Sequence, residues 1–161
     1  MGEEDLKMFT FVRNIKYGVS NLVNWFPIIW NDRDWDYHFI YIILHKKLKR
    51  MENSIRYAPF VNAEKRADEI KLCVNLLDRL KKDVYIDMTE KSFIKRWGKC
   101  KFNTTEKNIL NIVYEKDPEN IYKTKRDKEL RCRMNHEEYL INQDLSMLFN
   151  TMTKCIRGWW D

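Results

Sequence analysis

Leu6, Phe9, Val12, Ile15, Val19, Leu22 and Val23 recur mainly at intervals of three and four residues. That rhythm stacks side chains on one face of an α-helix and predicts a first helix over 5–24, weakened locally by Gly18. Pro27 interrupts the rhythm, and Trp25 ahead of it is expected to be extended. A second helix is expected to start within Asn31-Asp32-Arg33-Asp34 and to carry Trp35, Phe39, Ile40, Ile43, Leu44, Leu48, Met51 and Ile55. Its first half is apolar on most sides and belongs at the centre of a bundle. Ala58-Pro59 breaks the chain again. Ala63, Ala67, Ile70, Val74, Leu77, Leu80 and Val84 then form the stripe of a third helix, with Asn62 as its cap and the second helix as its antiparallel partner.

Beyond residue 85 the pattern thins. Phe93, Ile94 and Trp97 predict a short helix closed by Gly98. Another is expected from Thr104 or Thr105, carrying Ile109, Leu110 and Val113 and ending before Pro118. Asp117-Pro118 reads as a cap followed by proline at the first helical position. From Leu130 the positions Met134, Ile141, Leu145, Leu148, Met152 and Cys155 keep helical spacing. Asn135 and Glu138 can form a capping box that splits this segment, and a single long helix fits equally well. The closing pair, Trp159 and Trp160, is expected to fold back on its own helix.

Composition sharpens the class. With 4 Gly and 3 Pro in 161 residues, the chain lacks the turn formers that sandwiches and barrels consume. The expected fold is all-α: a single-domain bundle of five to seven helices over 1–161 around a central antiparallel pair, divided into a three-helix part, 1–85, and a more basic helical part, 86–161. Cys73, Cys100, Cys132 and Cys155 are far apart, and the start MGEEDLK does not resemble a secretory signal, so reduced thiols and a cytoplasmic location are expected. No apolar run is long enough to span a bilayer, and no membrane role is expected.

The stretch "WFPIIWNDRDWDYHF", 25–39, sets three tryptophans among acids. Trp25, Trp30 and Trp35 suit the end of a core, and Asp32, Asp34 and Asp36 suit the start of a helix, where carboxylates accept free N–H groups and face the positive end of the dipole. A calcium loop would need glycine at its sixth place and glutamate at its twelfth, which here are Tyr37 and Ile43. Magnesium asks less, but helix capping accounts for the acids more simply. No cysteine or histidine spacing suits zinc, and four glycines leave no phosphate-cradling loop or nucleophile elbow. No metal, cofactor or small-molecule substrate is expected.

Two segments match the Arg-x4-6-His motif of all-helical ribonucleases of the HEPN type: Arg33 to His38 and Arg131 to His136. On one helical face such a pair supplies a phosphate contact and an acid–base group. Only the first has the polar second residue that the motif commonly carries. The net charge of +6, from 30 basic and 24 acidic side chains, favours phosphates or an acidic partner. Its densest stretches are "HKKLKR" (45–50), "EKSFIKRWGKCKF" (90–102) and "KTKRDKELRCR" (123–133). Lys91, Lys95, Arg96, Trp97, Lys99 and Lys101 combine cations with a stacking surface, which suits RNA or single strands. Lys123, Lys125, Arg126, Arg131 and Arg133 add a second cluster, partly neutralised by Asp127 and Glu129.

The segments "WFPIIWNDRDWDYHFIYIILHKKLKRMENSI" and "ADEIKLCVNLLDRLKKDVY", within 25–85, resemble a group of small uncharacterised proteins of tailed bacteriophages, most specifically from Trp30 to Asp36. The resemblance implies a phage accessory gene acting inside a bacterial cell and transfers no catalytic residue. The expected role is therefore a non-enzymatic protein that binds a host nucleoprotein or nucleic acid, an antagonist of RNA-guided defence of the anti-CRISPR type. A HEPN-like metal-independent ribonuclease and a virion component are the alternatives.

Overall fold

The computed structural model describes residues 3–104 and 110–160. Five α-helices, a two-stranded hairpin and a closing 3-10 turn follow one another: α1 (Glu3–Ile29), α2 (His38–Arg56), α3 (Ala63–Lys82), α4 (Val84–Trp97), β1 (Cys100–Thr104), β2 (Leu110–Tyr114), α5 (Lys123–Cys155) and the turn Ile156–Trp159. The architecture is all-α with one small hairpin. The core lies where α2, α5 and the closing turn pack on α3. Leu48, Ile55, Ile70, Cys73, Leu77, Leu80, Tyr85, Leu148 and Trp159 belong to it; of the closing pair only Trp159 folds back, donating from its indole N–H to Glu69 at 3.2 Å, while Trp160 is exposed. Burial pushes the Cys73 thiol up to about 11, which leaves it inert at neutral pH.

Polar ties fix the helix ends. The buried Asp144 of α5 accepts a hydrogen bond from the Tyr85 hydroxyl and lies 3.0 Å from Arg79 Nε, joining α3, α4 and α5. Burial, then the bond to Asp144, raises the Tyr85 hydroxyl well above its ordinary value. Glu52, buried on α2, takes Lys49 at 2.7 Å and Arg56 at 3.0 Å, and Arg56 reaches Asp68 of α3 at 3.0 Å. The hydrogen bond from Lys49 is the first cause of its lowered pKa.

Several expectations are corrected. α1 runs straight through Trp25 and Pro27 to Ile29, because proline forfeits only one bond so near the end and the Asn31 amide caps the Pro27 carbonyl at 3.0 Å. α2 starts at His38 rather than within Asn31–Asp34. Asp36 alone of the three acids serves that start, accepting the His38 N–H at 2.9 Å. Trp30 and Trp35 do not fill a core; they are 71% and 83% exposed, while Trp25 is half-buried beneath Lys46 and Arg50 of α2.

Asn62 precedes α3 as expected, but with left-handed backbone (φ 65°) and no side-chain cap bond. Gly98 closes α4 with φ 76° and its N–H on the Ile94 carbonyl at 2.8 Å; a Cβ there would lie 2.8 Å from Glu115 Cβ. The helix expected from Thr104 or Thr105 is instead an antiparallel hairpin, Phe102 facing Ile112 and Thr104 facing Leu110. Thr105 and Ile109 lie outside the described residues. α5 begins at Lys123, and Asp117 pairs with Arg126 at 2.8 Å instead of capping a helix at Pro118. Beyond that start α5 is unbroken for 33 residues across Asn135 and Glu138.

Candidate nucleic-acid interface

α4 lies along the first half of α5, and the hairpin caps their common end through Tyr114, whose ring meets Phe93 edge-on at 5.8 Å. This unit brings the two predicted basic clusters together and sorts them into structural and exposed members. Trp97 is only 6% exposed, and its indole N–H donates to Glu129 at 2.8 Å, so it offers no stacking surface. Arg96 meets the same carboxylate at 2.6 Å. The Trp97 bond, and then Arg96, hold the Glu129 carboxyl below its ordinary value. Arg126 is 3% exposed, locked to Asp117 and stacked 4.5 Å over the Tyr114 ring. Arg133 lies 5.2 Å over Phe93 and 3.9 Å from Glu90. Trp97, Arg126 and Arg133 hold α5 against α4 and the hairpin, so these three predicted binding residues are spent internally, whereas Arg96 is paired with Glu129 but keeps a 62% exposed side chain.

The remainder face solvent. Lys91, Lys95, Lys99, Lys123, Lys125 and Arg131 are exposed and make no ion pair among the described residues, while Lys101 sits 3.4 Å from Glu115. Lys123, Lys128 and Arg131 line one depression of about 330 Å³ with Thr124 and Asp127. Asp127 is turned toward Arg126 at 3.7 Å, which leaves the cations in excess. Lys128 was missed in the sequence. Its signal was there, since residues 124, 128 and 131 share a helical face with 127.

A second concavity, about 580 Å³, opens between α4 and α5. Phe93 and Leu140 give it apolar walls, and Arg96, Arg133, Glu129 and His136 its charges. His136 stands here, whereas Arg131 opens on the neighbouring depression; five residues turn a helix by about 140°, so the two do not share a face. Arg33 lies in the turn before α2, its guanidinium 3.2 Å from the Asp32 carbonyl. His38 opens α2 with its ring against Tyr41 at 6.1 Å.

Asp32, Asp34 and Asp36 line a third concavity of about 370 Å³ with Trp35, Tyr37, Phe39, Ile40 and Ile43, so Asp32 and Asp34 face solvent rather than a helix end. Among the described residues no group of three or more His, Cys, Asp or Glu side chains is placed to hold a metal ion, and no helix is long and apolar enough to cross a membrane. The chain matches no protein-family model, no curated protein and no solved structure.

Proposed function

We propose that this chain is a non-enzymatic phage-encoded protein that binds a host nucleic acid or nucleoprotein, with the phosphate backbone held on the exposed face of α5 and the adjoining α4 and β1. Its setting is the tailed-bacteriophage group that 25–85 resembles, and its role is that of an anti-CRISPR-type antagonist of an RNA-guided complex. One observation carries the binding assignment: Lys123, Lys128 and Arg131 share one depression whose sole carboxylate is drawn toward a buried arginine. Lys123 and Arg131 stand about 12 Å apart along a rigid helix, a span of a few backbone phosphates. With Trp97 buried, the surface reads phosphate charge rather than base identity, so binding is expected to tolerate sequence.

The test is fluorescence polarisation of labelled RNA against the wild type and the Lys123→Glu/Lys128→Glu/Arg131→Glu variant. Tight binding at low salt that the variant loses supports the assignment; absence of wild-type binding at low salt, to RNA and to host nucleoprotein alike, refutes it. A metal-independent ribonuclease has one observation in its favour, the placement of His136 beside Arg96 and Arg133 in the larger cleft. RNA cleavage without added metal that disappears in His136→Ala would replace the binder reading with that one.

A further inference from the structure

We infer that α1 is a self-association element whose outward apolar stripe closes against the same stripe of a second copy of this chain. Met8, Val12, Ile15, Val19, Leu22, Phe26 and Ile29 alternate four- and three-residue steps without a break over three heptads. This is the seam of a coiled coil, with Val12, Val19 and Phe26 in one core position and Met8, Ile15, Leu22 and Ile29 in the other. Every one of these side chains is at least half exposed, from 50% at Ile15 to 69% at Leu22.

The seam is turned away from the rest of the chain. α1 meets α2 through Asn21, Asn24 and Trp25, which take Arg50 and Lys46, with Ile28 lining the adjoining concavity. At 100° per residue those four positions lie on the side of α1 opposite Val19 and Phe26. Among the described residues no element packs along α1 as α3 packs along α2. Gly18 flanks the stripe, and a Cβ added there would meet nothing within 4 Å, so that edge is open to the close approach of another helix.

A second copy fits this face better than a lipid surface. From Met8 to Ile29 the seam is about 32 Å long. Mutual burial of seven partly exposed apolar side chains on each copy removes on the order of 1,000 Å² from water, which reaches the size of a specific interface. An interfacial membrane helix needs a polar face rich in Lys and Arg. Here that face is largely neutral, with Thr10, Asn14, Ser20, Asn21 and Asn24 around Lys7, Arg13 and Lys16. Reversed about the midpoint of Val19 and Leu22, the stripe sets Val12 against Ile29, Ile15 against Phe26 and Val19 against Leu22, so an antiparallel copy also meets apolar side chains.

The experiment is sedimentation equilibrium of the full chain over a wide concentration range, with far-UV circular dichroism beside it. The wild type is expected at twice the single-chain mass of 19.8 kDa. Ile15→Glu/Leu22→Glu is expected at the single-chain mass, with helicity kept because Glu is a good helix former. Ile15→Ala/Leu22→Ala, which changes no charge, is expected to weaken association by about a hundredfold or more. Tyr57→Glu, an exposed site off the stripe, leaves the mass unchanged. A wild type that remains a single chain at every concentration overturns the inference, as does an assembly that survives both double variants. So does a single chain that instead co-sediments with phosphatidylcholine–phosphatidylglycerol vesicles.

Discussion

Arg126 separates a structural cation from a binding one. Its side chain and that of Asp117 are 3% and 2% exposed, their nearest atoms are 2.8 Å apart, and the guanidinium lies 4.5 Å over the Tyr114 ring. In Arg126→Ala the Asp117 carboxylate stays buried with the Tyr122 N–H, at 3.4 Å, as its remaining side-chain partner. Removing one member of a buried ion pair costs about 3–5 kcal/mol, and the lost cation–π contact adds roughly 1 kcal/mol. For a chain of this length each kcal/mol moves Tm by about 2–4 °C, so melting is expected to fall by roughly 10 °C or more. The double variant Arg126→Met/Asp117→Asn removes both charges and should recover much of the loss. Urea titration followed by tryptophan fluorescence and circular dichroism measures all three proteins. Arg126→Ala within about 1 kcal/mol of wild type would refute this reasoning. So would an Arg126→Ala protein of unchanged stability that no longer holds RNA, which would return Arg126 to the binding surface.

The charge-reversal variant Lys123→Glu/Lys128→Glu/Arg131→Glu should keep wild-type stability within about 0.5 kcal/mol per site while losing RNA affinity, since these cations make no ion pair among the described residues. Trp159→Ala should cost about 3–5 kcal/mol because the ring is fully buried in the core, whereas Trp160→Ala on the exposed neighbour should change stability by less than about 0.5 kcal/mol. Gly98→Ala should destabilise by more than about 1 kcal/mol, since positive φ and the Glu115 side chain both oppose a Cβ; a melt matching wild type would contradict this. His45 binds protons less readily when folded, chiefly through desolvation and then the nearby Lys81 charge. The unfolded chain therefore takes up protons first as pH drops below the ordinary histidine value of about 6.5, and stability should decline from there. That decline should be shallower in His45→Gln, and an identical pH profile would remove His45 as its source.

The helical class was legible because α2 and α3 bury one face against each other, and burial of a periodic stripe is what the spacing of Leu48, Ile55, Ile70 and Leu77 encodes. Gly98 was legible for a backbone reason, the positive φ that ends α4. The hairpin was not. Its alternation of Leu110, Ile112 and Tyr114 is too short to compete with a helical reading, and what holds it is long-range: Arg126 over Tyr114, and Phe93 beneath. The same cause divides the basic clusters. Lys123 and Arg126 look alike in sequence, yet one projects into solvent and the other is drawn inward by Asp117, nine residues away across a turn. Periodicity also says which face of a helix is apolar without saying what covers it. The stripe of α1 is plain in the sequence, yet among the described residues no other element packs along it.

The most direct measurement is the salt dependence of RNA binding by the intact protein. With about five phosphates met by the exposed cations of α4 and α5, log affinity should fall linearly against log salt with a slope of about −3.5 for a single strand. The slope should become shallower by two or more in Lys123→Glu/Lys128→Glu/Arg131→Glu. Affinity indifferent to salt, or a slope unmoved by that variant, would contradict the account.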